Sequence, residues 1–415
     1  GGGTATVPEE IFNLIKSIIG AGLLSLPAGI AVLASSASSG NSSHRILLSS
    51  SFLLIAVMGT ISAYTFSLIA RVCQMTNTTT YANCWTATMK DHSNSKGHRR
   101  SGGSSLLGSL GAFMDCLAGN LTYSMVLADT FRVLVATAIK YATRSNVLLV
   151  LTVLILFPLC LINNLSSLAP FSLVGIIGMV YTGIVIGVRY FDGSYKLPHG
   201  KFLKDLSGVG IGSNKSLPSF ATAATSAASA TSSSPFQFLF NPKSLILISI
   251  LSTAYIAHFN APKFYNELKE TKTSSSKQQR FHIGVVTTSF MVSILFYGIV
   301  SALGYSTFGL STSAMILNNY STNDILISIS RFCVGLSLIF SYPLLFVGLK
   351  SGTIDLINQL KITNQQKHSN SKLTVLLLSS ITLLATHITD LTFVASMSGA
   401  LLGTSLIFIF PTIMF

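Results

Sequence analysis

Residues 12–30, FNLIKSIIGAGLLSLPAGI, form an apolar stretch long enough to sit in a bilayer, yet Gly20-Ala21-Gly22 interrupts it and Pro27 follows. Two glycines and a proline inside one span weaken the helix at that point. In hydrocarbon an unwound turn survives only where it faces protein or a water-filled cavity. A first helix broken at membrane mid-depth is how many secondary transporters build a substrate site. The stretch therefore predicts a carrier.

Composition agrees with a bilayer. Charged residues make up 9% of the chain and hydrophobic residues 49%, with a mean hydropathy of +0.63. A soluble domain carries roughly a quarter charged residues. A hydrocarbon core of about 30 Å takes about 20 apolar residues per helix. Ten such spans are predicted, near 11–34, 46–74, 106–138, 145–163, 166–189, 244–262, 282–306, 323–349, 373–388 and 390–414. The expected fold class is an all-α polytopic membrane protein, with 1–415 forming a single transmembrane domain.

The net charge of +14 raises the question of nucleic acid, and its distribution answers it. With a cytoplasmic N-terminus, the cytoplasmic connections are basic: Arg71, Lys90, Lys96, Arg99 and Arg100; Lys263, Lys269, Lys272, Lys277 and Arg280; Lys350, Lys361, Lys367 and Lys372. The short loops opposite hold only Arg45, Lys140 and Arg144. This is the positive-inside pattern, in which the long 190–243 connection counts little. Anionic membrane lipid is the expected partner of the basic loops, and nucleic acid is not.

The five cysteines show no disulfide framework and no metal spacing, so neither a metal nor a cofactor is expected. Sequons at Asn41, Asn214 and Asn319 fall in predicted outer loops, whereas the one at Asn77 falls inside. No cleavable signal peptide is expected, because the first apolar span holds Lys16 and lacks a basic leader.

The segments 35–45, 91–105 and 207–234 are rich in Ser, Gly and Ala and read as flexible loops. The longest divides the spans into two sets of five: repeat one over 11–189, the loop over 190–243 and repeat two over 244–415. The sixth span is interrupted as well, since LISILSTAYIAHFNAPKFYNEL puts His258, Phe259, Asn260 and Pro262 inside an apolar run. Five helices running one way and five the other, each set opening on a broken helix, make an inverted repeat with the site at the breaks.

These residues resemble a known family. NLIKSIIGAGLLSLPAGI is similar to the opening helix of the amino acid/auxin permease family, which includes vacuolar and neutral amino acid transporters. VLADTF, FPLCLINNLSSLAPFSLVGIIG, AHFNAPKFYNEL, GYSTFG with ILNNY, and SGALLGTSLIFIFPTIMF resemble later segments of that family in the right order. The resemblance implies a leucine-transporter-type 5+5 inverted repeat with broken helices one and six, usually followed by an eleventh helix. Ten are visible in this sequence, which is expected to be trimmed or to be a natural ten-helix form.

An amino acid zwitterion needs donors for its carboxylate and acceptors for its ammonium, and an unwound turn offers free N–H and C=O groups. The carboxylate is assigned to the amides of Gly20, Ala21 and Gly22. The ammonium is assigned to carbonyls of Ser17 and Ile18 and of the second break near Ala257. The same small residues also suit plain helix packing. Asn120 and Tyr123 are expected to line the pocket or to join helices, and Phe259 and Ser337 to help bound its side-chain end. Without a charged residue clearly placed to meet an ionic side chain, a neutral substrate is expected.

The resemblance also bears on the ion. Relatives similar to sodium-coupled transporters tend to have Asn where this chain has Lys16. An ammonium there can occupy the cation position and repel sodium, which argues for protons; a lysine snorkelling to the interface is the other reading. Ser341 retains a hydroxyl where a sodium ligand from span eight would sit. Asp115, Asp129, His258 and Arg331 are ionisable groups within predicted spans and so are functional candidates. His258 is the preferred proton relay, or else it bonds a freed backbone carbonyl. Asp129 can pair with Arg132 one turn on.

The expected function is thus proton-coupled, or failing that sodium-coupled, amino acid transport at the plasma membrane or the vacuolar/lysosomal membrane. A sensor on the same fold, binding an amino acid without carrying it, is the alternative. Enzyme motifs are missing from the sequence, and so is a channel filter.

Overall fold

Helix α1 (Val7–Ile18) starts at Thr6, whose backbone N–H and hydroxyl both donate to the Glu9 carboxylate, at 2.7 and 2.9 Å. That contact belongs to a capping box. Ile19 and Gly20 are extended, a 3-10 turn covers Ala21–Ser25, and α2 (Leu26–Ala34) follows at 44° to α1. The second break has the same plan. Helix α7 (Ser244–Ala254) stops, Tyr255 to Ala257 are irregular, His258–Asn260 form a 3-10 turn, and α8 (Ala261–Glu267) resumes. Pro27 and Pro262 each occupy the first turn of the resumed helix. There the missing N–H has no intrahelical partner to lose.

The computed structural model describes residues 3–35, 41–79, 81, 83–88, 101–136, 142–161, 169–196, 200–202, 240–270, 276–359 and 370–415. The other long helices are α3 (Asn41–Thr76), α4 (Ser101–Ala136), α5 (Arg144–Cys160), α6 (Ala169–Phe191), α9 (Lys277–Ser311), α10 (Ile325–Gln359), α11 (Asn370–His387) and α12 (Leu391–Met414). Each predicted span thus carries a helix or a broken pair. Among the described residues five helices are long and apolar enough to cross a membrane, and the bent α1–α2 pair makes a sixth. Arg144–Cys160, Gly175–Phe191 and Ser371–His387 are shorter apolar helices. Most of the serine-rich loops lie outside the described residues, with Lys90, Lys96, Arg99, Arg100, Lys140, Asn214, Lys272, Lys361 and Lys367.

Two groups of helices pack among themselves. One holds α1, α2, α3, α7 and α9; the other holds α4, α5, α10 and α11. Helix α6 touches both α9 and α10, and α12 packs on α7, α3 and α4. Large apolar side chains such as Leu154, Ile177, Met291 and Leu383 remain exposed around the outside. In a bilayer these meet acyl chains. The one β-type contact among the described residues is a bridge between Ala5 and Leu268. There Ala5 N–H donates to the Glu267 carbonyl at 2.9 Å, and Lys269 N–H to the Ala5 carbonyl at 2.8 Å.

Charged groups within the helices have local tasks. Asp129 pairs with Arg144 at 2.6 Å and not with Arg132, which points outward. Arg331 donates to the carbonyls of Leu317, Tyr320 and Ser321, at 2.8, 2.8 and 3.3 Å, holding the turn that precedes α10. Asn319 lies in the connection before α10, as its sequon predicts, but its side chain is engaged there. It is buried, its amide oxygen accepts from Ser313 N–H at 2.7 Å, and its amide nitrogen donates to the Ser311 carbonyl at 2.8 Å.

Candidate functional site

The two breaks meet because the residues between them are small. A methyl group on Gly22 would lie 2.9 Å from the Ala254 Cα, so the first break packs directly on the end of α7. Asn260 donates from its side-chain amide to the Ser17 hydroxyl at 3.0 Å, joining the breaks a second time. Tyr297 of α9 makes the third link. Its hydroxyl lies 2.6 Å from the Ile18 carbonyl and 2.9 Å from the Ala254 carbonyl, the last carbonyls before each break. Unpaired carbonyls at helix ends are costly inside a membrane. One buried hydroxyl attends to both.

Beside this junction lies a cavity of about 120 Å³. The first break contributes Ser17, Ile18, Gly20, Ala21, Gly22 and Ser25, and the second contributes Thr253, Ala254, Ile256 and Phe259. Helix α4 adds Asp115, Gly119, Thr122, Tyr123 and Val126. Leu345 of α10 and Leu391, Ala395 and Ser398 of α12 complete the wall. Gly20 differs from Gly22: the nearest atoms to a methyl placed on it are 3.9 Å away, one of them the Tyr123 hydroxyl oxygen. Backbone, a phenol and a carboxylate therefore edge a mainly apolar space.

Seven of the sequence-derived candidates border this cavity: Ser17, Ile18, Gly20, Ala21, Gly22, Tyr123 and Phe259. Three do not. Asn120 turns back to donate to the Cys116 carbonyl at 2.7 Å, Ala257 is fully buried behind the break, and Ser337 packs against Gly175 of α6. The three ion-coupling candidates also lie off its wall. His258 is fully buried with Nε2 at 3.0 Å from the Thr65 hydroxyl and 3.1 Å from the Ser62 carbonyl, both on α3. Its ring also stands edge-on to Phe66 at 5.6 Å. Lys16 is half-buried and has no ion pair among the described residues, and Ser341 is half-buried within α10.

Sequence reasoning missed Tyr297 and did not bring Asp115 to the pocket. Nothing in ILFYGIV marks its tyrosine above other aromatics in the chain. Asp115 stands out as a charge in an apolar helix, but the face it takes depends on how α4 packs.

Apolar helices and two unwound turns beside a small cavity define a multi-pass membrane protein with a solute-sized internal site. The profile described as transmembrane amino acid transporter protein matches residues 3–415, and the chain belongs to that family. It is similar to vacuolar amino acid transporter 7 of Saccharomyces cerevisiae, with 26% identity over 61% of this chain and 44% of that protein. Putative sodium-coupled neutral amino acid transporter 11 of Danio rerio is 25% identical over 100% of this chain and 79% of its own length. Amino acid transporter AVT6E of Arabidopsis thaliana is 25% identical over 97% of this chain and 74% of its own. The chain spans less than half of the yeast relative.

Proposed function

We propose that this protein is a secondary active transporter of neutral amino acids, coupled to protons and working by alternating access. The observation that carries the reading is the cavity edged by the backbone of both breaks. A zwitterion in it has N–H donors from the turn at Gly20–Gly22 and carbonyl acceptors from Ser17, Ile18 and Ala254. The apolar remainder of the wall suits an uncharged side chain. The two helix groups, arranged as a 5+5 inverted repeat of ten crossings, would rock against one another about this point. Relatives named as vacuolar and as neutral amino acid transporters support the substrate class, and the vacuolar one supports a vacuolar membrane as an address beside the plasma membrane.

Protons are favoured over sodium by Lys16. Its ammonium lies one turn before the break, where a resident positive charge repels a metal cation at short range. The test is amino acid uptake into proteoliposomes under an imposed proton gradient or a matched sodium gradient, with Lys16→Asn in parallel. Proton-driven uptake indifferent to sodium, with altered coupling in the variant, is expected. Sodium-driven uptake by the unaltered protein overturns the Lys16 reading and returns attention to Ser341. Amino acid binding without uptake under either gradient makes the protein a sensor.

A further inference from the structure

We infer that Asp115 is the group that takes up the coupled proton, inside the same cavity that holds the amino acid. The inference rests on the carrier reading above and adds a proton site to it. Asp115 and Tyr123 share one face of α4 and both border the cavity. Eight residues of helix separate them by about 12 Å along the axis. Tyr123 meets the Gly20 turn, so the carboxylate stands about two helical turns away from the backbone donors, in the same space.

Among the described residues Asp115 has no cation paired with it. The ion pairs among the described residues are Asp129 with Arg144, Arg189 with Asp192 and Asp324, and Glu267 with Lys263. Tyr81, Cys116 and Tyr123, none of them cationic, are the titratable neighbours of Asp115 among the described residues. The walls contributed by the two breaks, α10 and α12 carry no titratable side chain. Asp115 itself is 8% exposed. A buried carboxylate without a positive partner is costly as an anion and takes a proton instead. His258 bonds to α3 and Lys16 lies off the wall, so among the described residues Asp115 is the acidic or basic side chain in direct contact with the cavity.

Coupling then follows from charge. A substrate carboxylate at Gly20–Gly22 is a like charge in the same cavity, and it favours the protonated form of Asp115. By reciprocity the proton favours the substrate. The proton arrives from water on the more acidic side and leaves to water on the other, with no covalent step. Departure of the proton restores a negative charge facing the substrate carboxylate and promotes release.

The experiment compares two transport modes in proteoliposomes clamped at zero membrane potential. One is exchange of radiolabelled alanine or leucine at equal pH; the other is accumulation under a gradient of about one pH unit. One proton per amino acid gives about tenfold accumulation under that gradient. Asp115→Asn is expected to exchange but not to accumulate, and Asp115→Glu to do both. Accumulation by Asp115→Asn at the level of the unaltered protein overturns the inference. So does loss of exchange at unchanged thermal stability, which makes Asp115 a substrate ligand. Selective loss of lysine exchange, with proton-driven alanine uptake intact, also overturns it by making Asp115 a counter-ion for a basic side chain. Failure of the unaltered protein to exchange any amino acid would instead strike the carrier reading itself.

Discussion

Tyr297 binds the two breaks more closely than any other side chain, and its removal should be felt in both. Tyr297→Phe leaves the Ile18 and Ala254 carbonyls without their hydroxyl. Leaving a buried polar group unpaired costs about 1–3 kcal/mol. A lower melting temperature in detergent is expected, together with weaker amino acid uptake. The two glycines should separate stability from binding. Gly22→Ala drives a methyl against the Ala254 backbone, and overpacking of this kind costs about 1–3 kcal/mol. Gly20→Ala has room and should leave the melting temperature nearly unchanged, while its methyl faces the cavity and raises the KM for uptake. Equal melting temperatures for the two variants would contradict this division. At this scale the sequence is only partly legible. Gly20 and Gly22 stand out because glycine acts on its own backbone. Asn120 and Ser337 are polar residues of apolar helices like Tyr123, and only packing decides that they face away.

At the scale of elements the breaks are legible because their causes are local. Each resumed helix carries a proline in its first turn, and each break is followed by a 3-10 turn. A helix also lies over every predicted span, since apolar length is itself a local property. Partners distant in sequence are harder to read. Asp129 has Arg132 one turn away but pairs with Arg144, because Arg132 points outward. The turn Ile316–Asn319 gives a similar lesson, since its sequon reads as a surface signal while its asparagine closes the turn. Asn319 should therefore carry no glycan in the folded protein. Mass spectrometry of the peptide containing it is the check, and a modified Asn319 in active protein would contradict the packing of this turn.

At the scale of the whole molecule the breaks belong to one packed group of helices, while Asp115 and Tyr123 come from the other. Relative movement of the groups, as the proposed transport cycle requires, would therefore open or close the cavity wall. The Ala5–Leu268 bridge ties the lead-in to α1 to the exit from α8, so α1 and α8 should travel together. Lys269→Pro removes the N–H that bonds to Ala5. It is expected to slow exchange with little change in equilibrium binding of amino acid; unchanged exchange rates would show that the two helices move independently.

The contact at the junction also has a numerical consequence. A phenol owns one hydrogen, and Tyr297 faces two carbonyl oxygens with it. Shared between two oxygens, that hydrogen bonds each less strongly than it would bond one alone. A lone hydroxyl cannot make that count even. In the proposed carrier, the ammonium of an amino acid, with three hydrogens to distribute, would bond both oxygens at once.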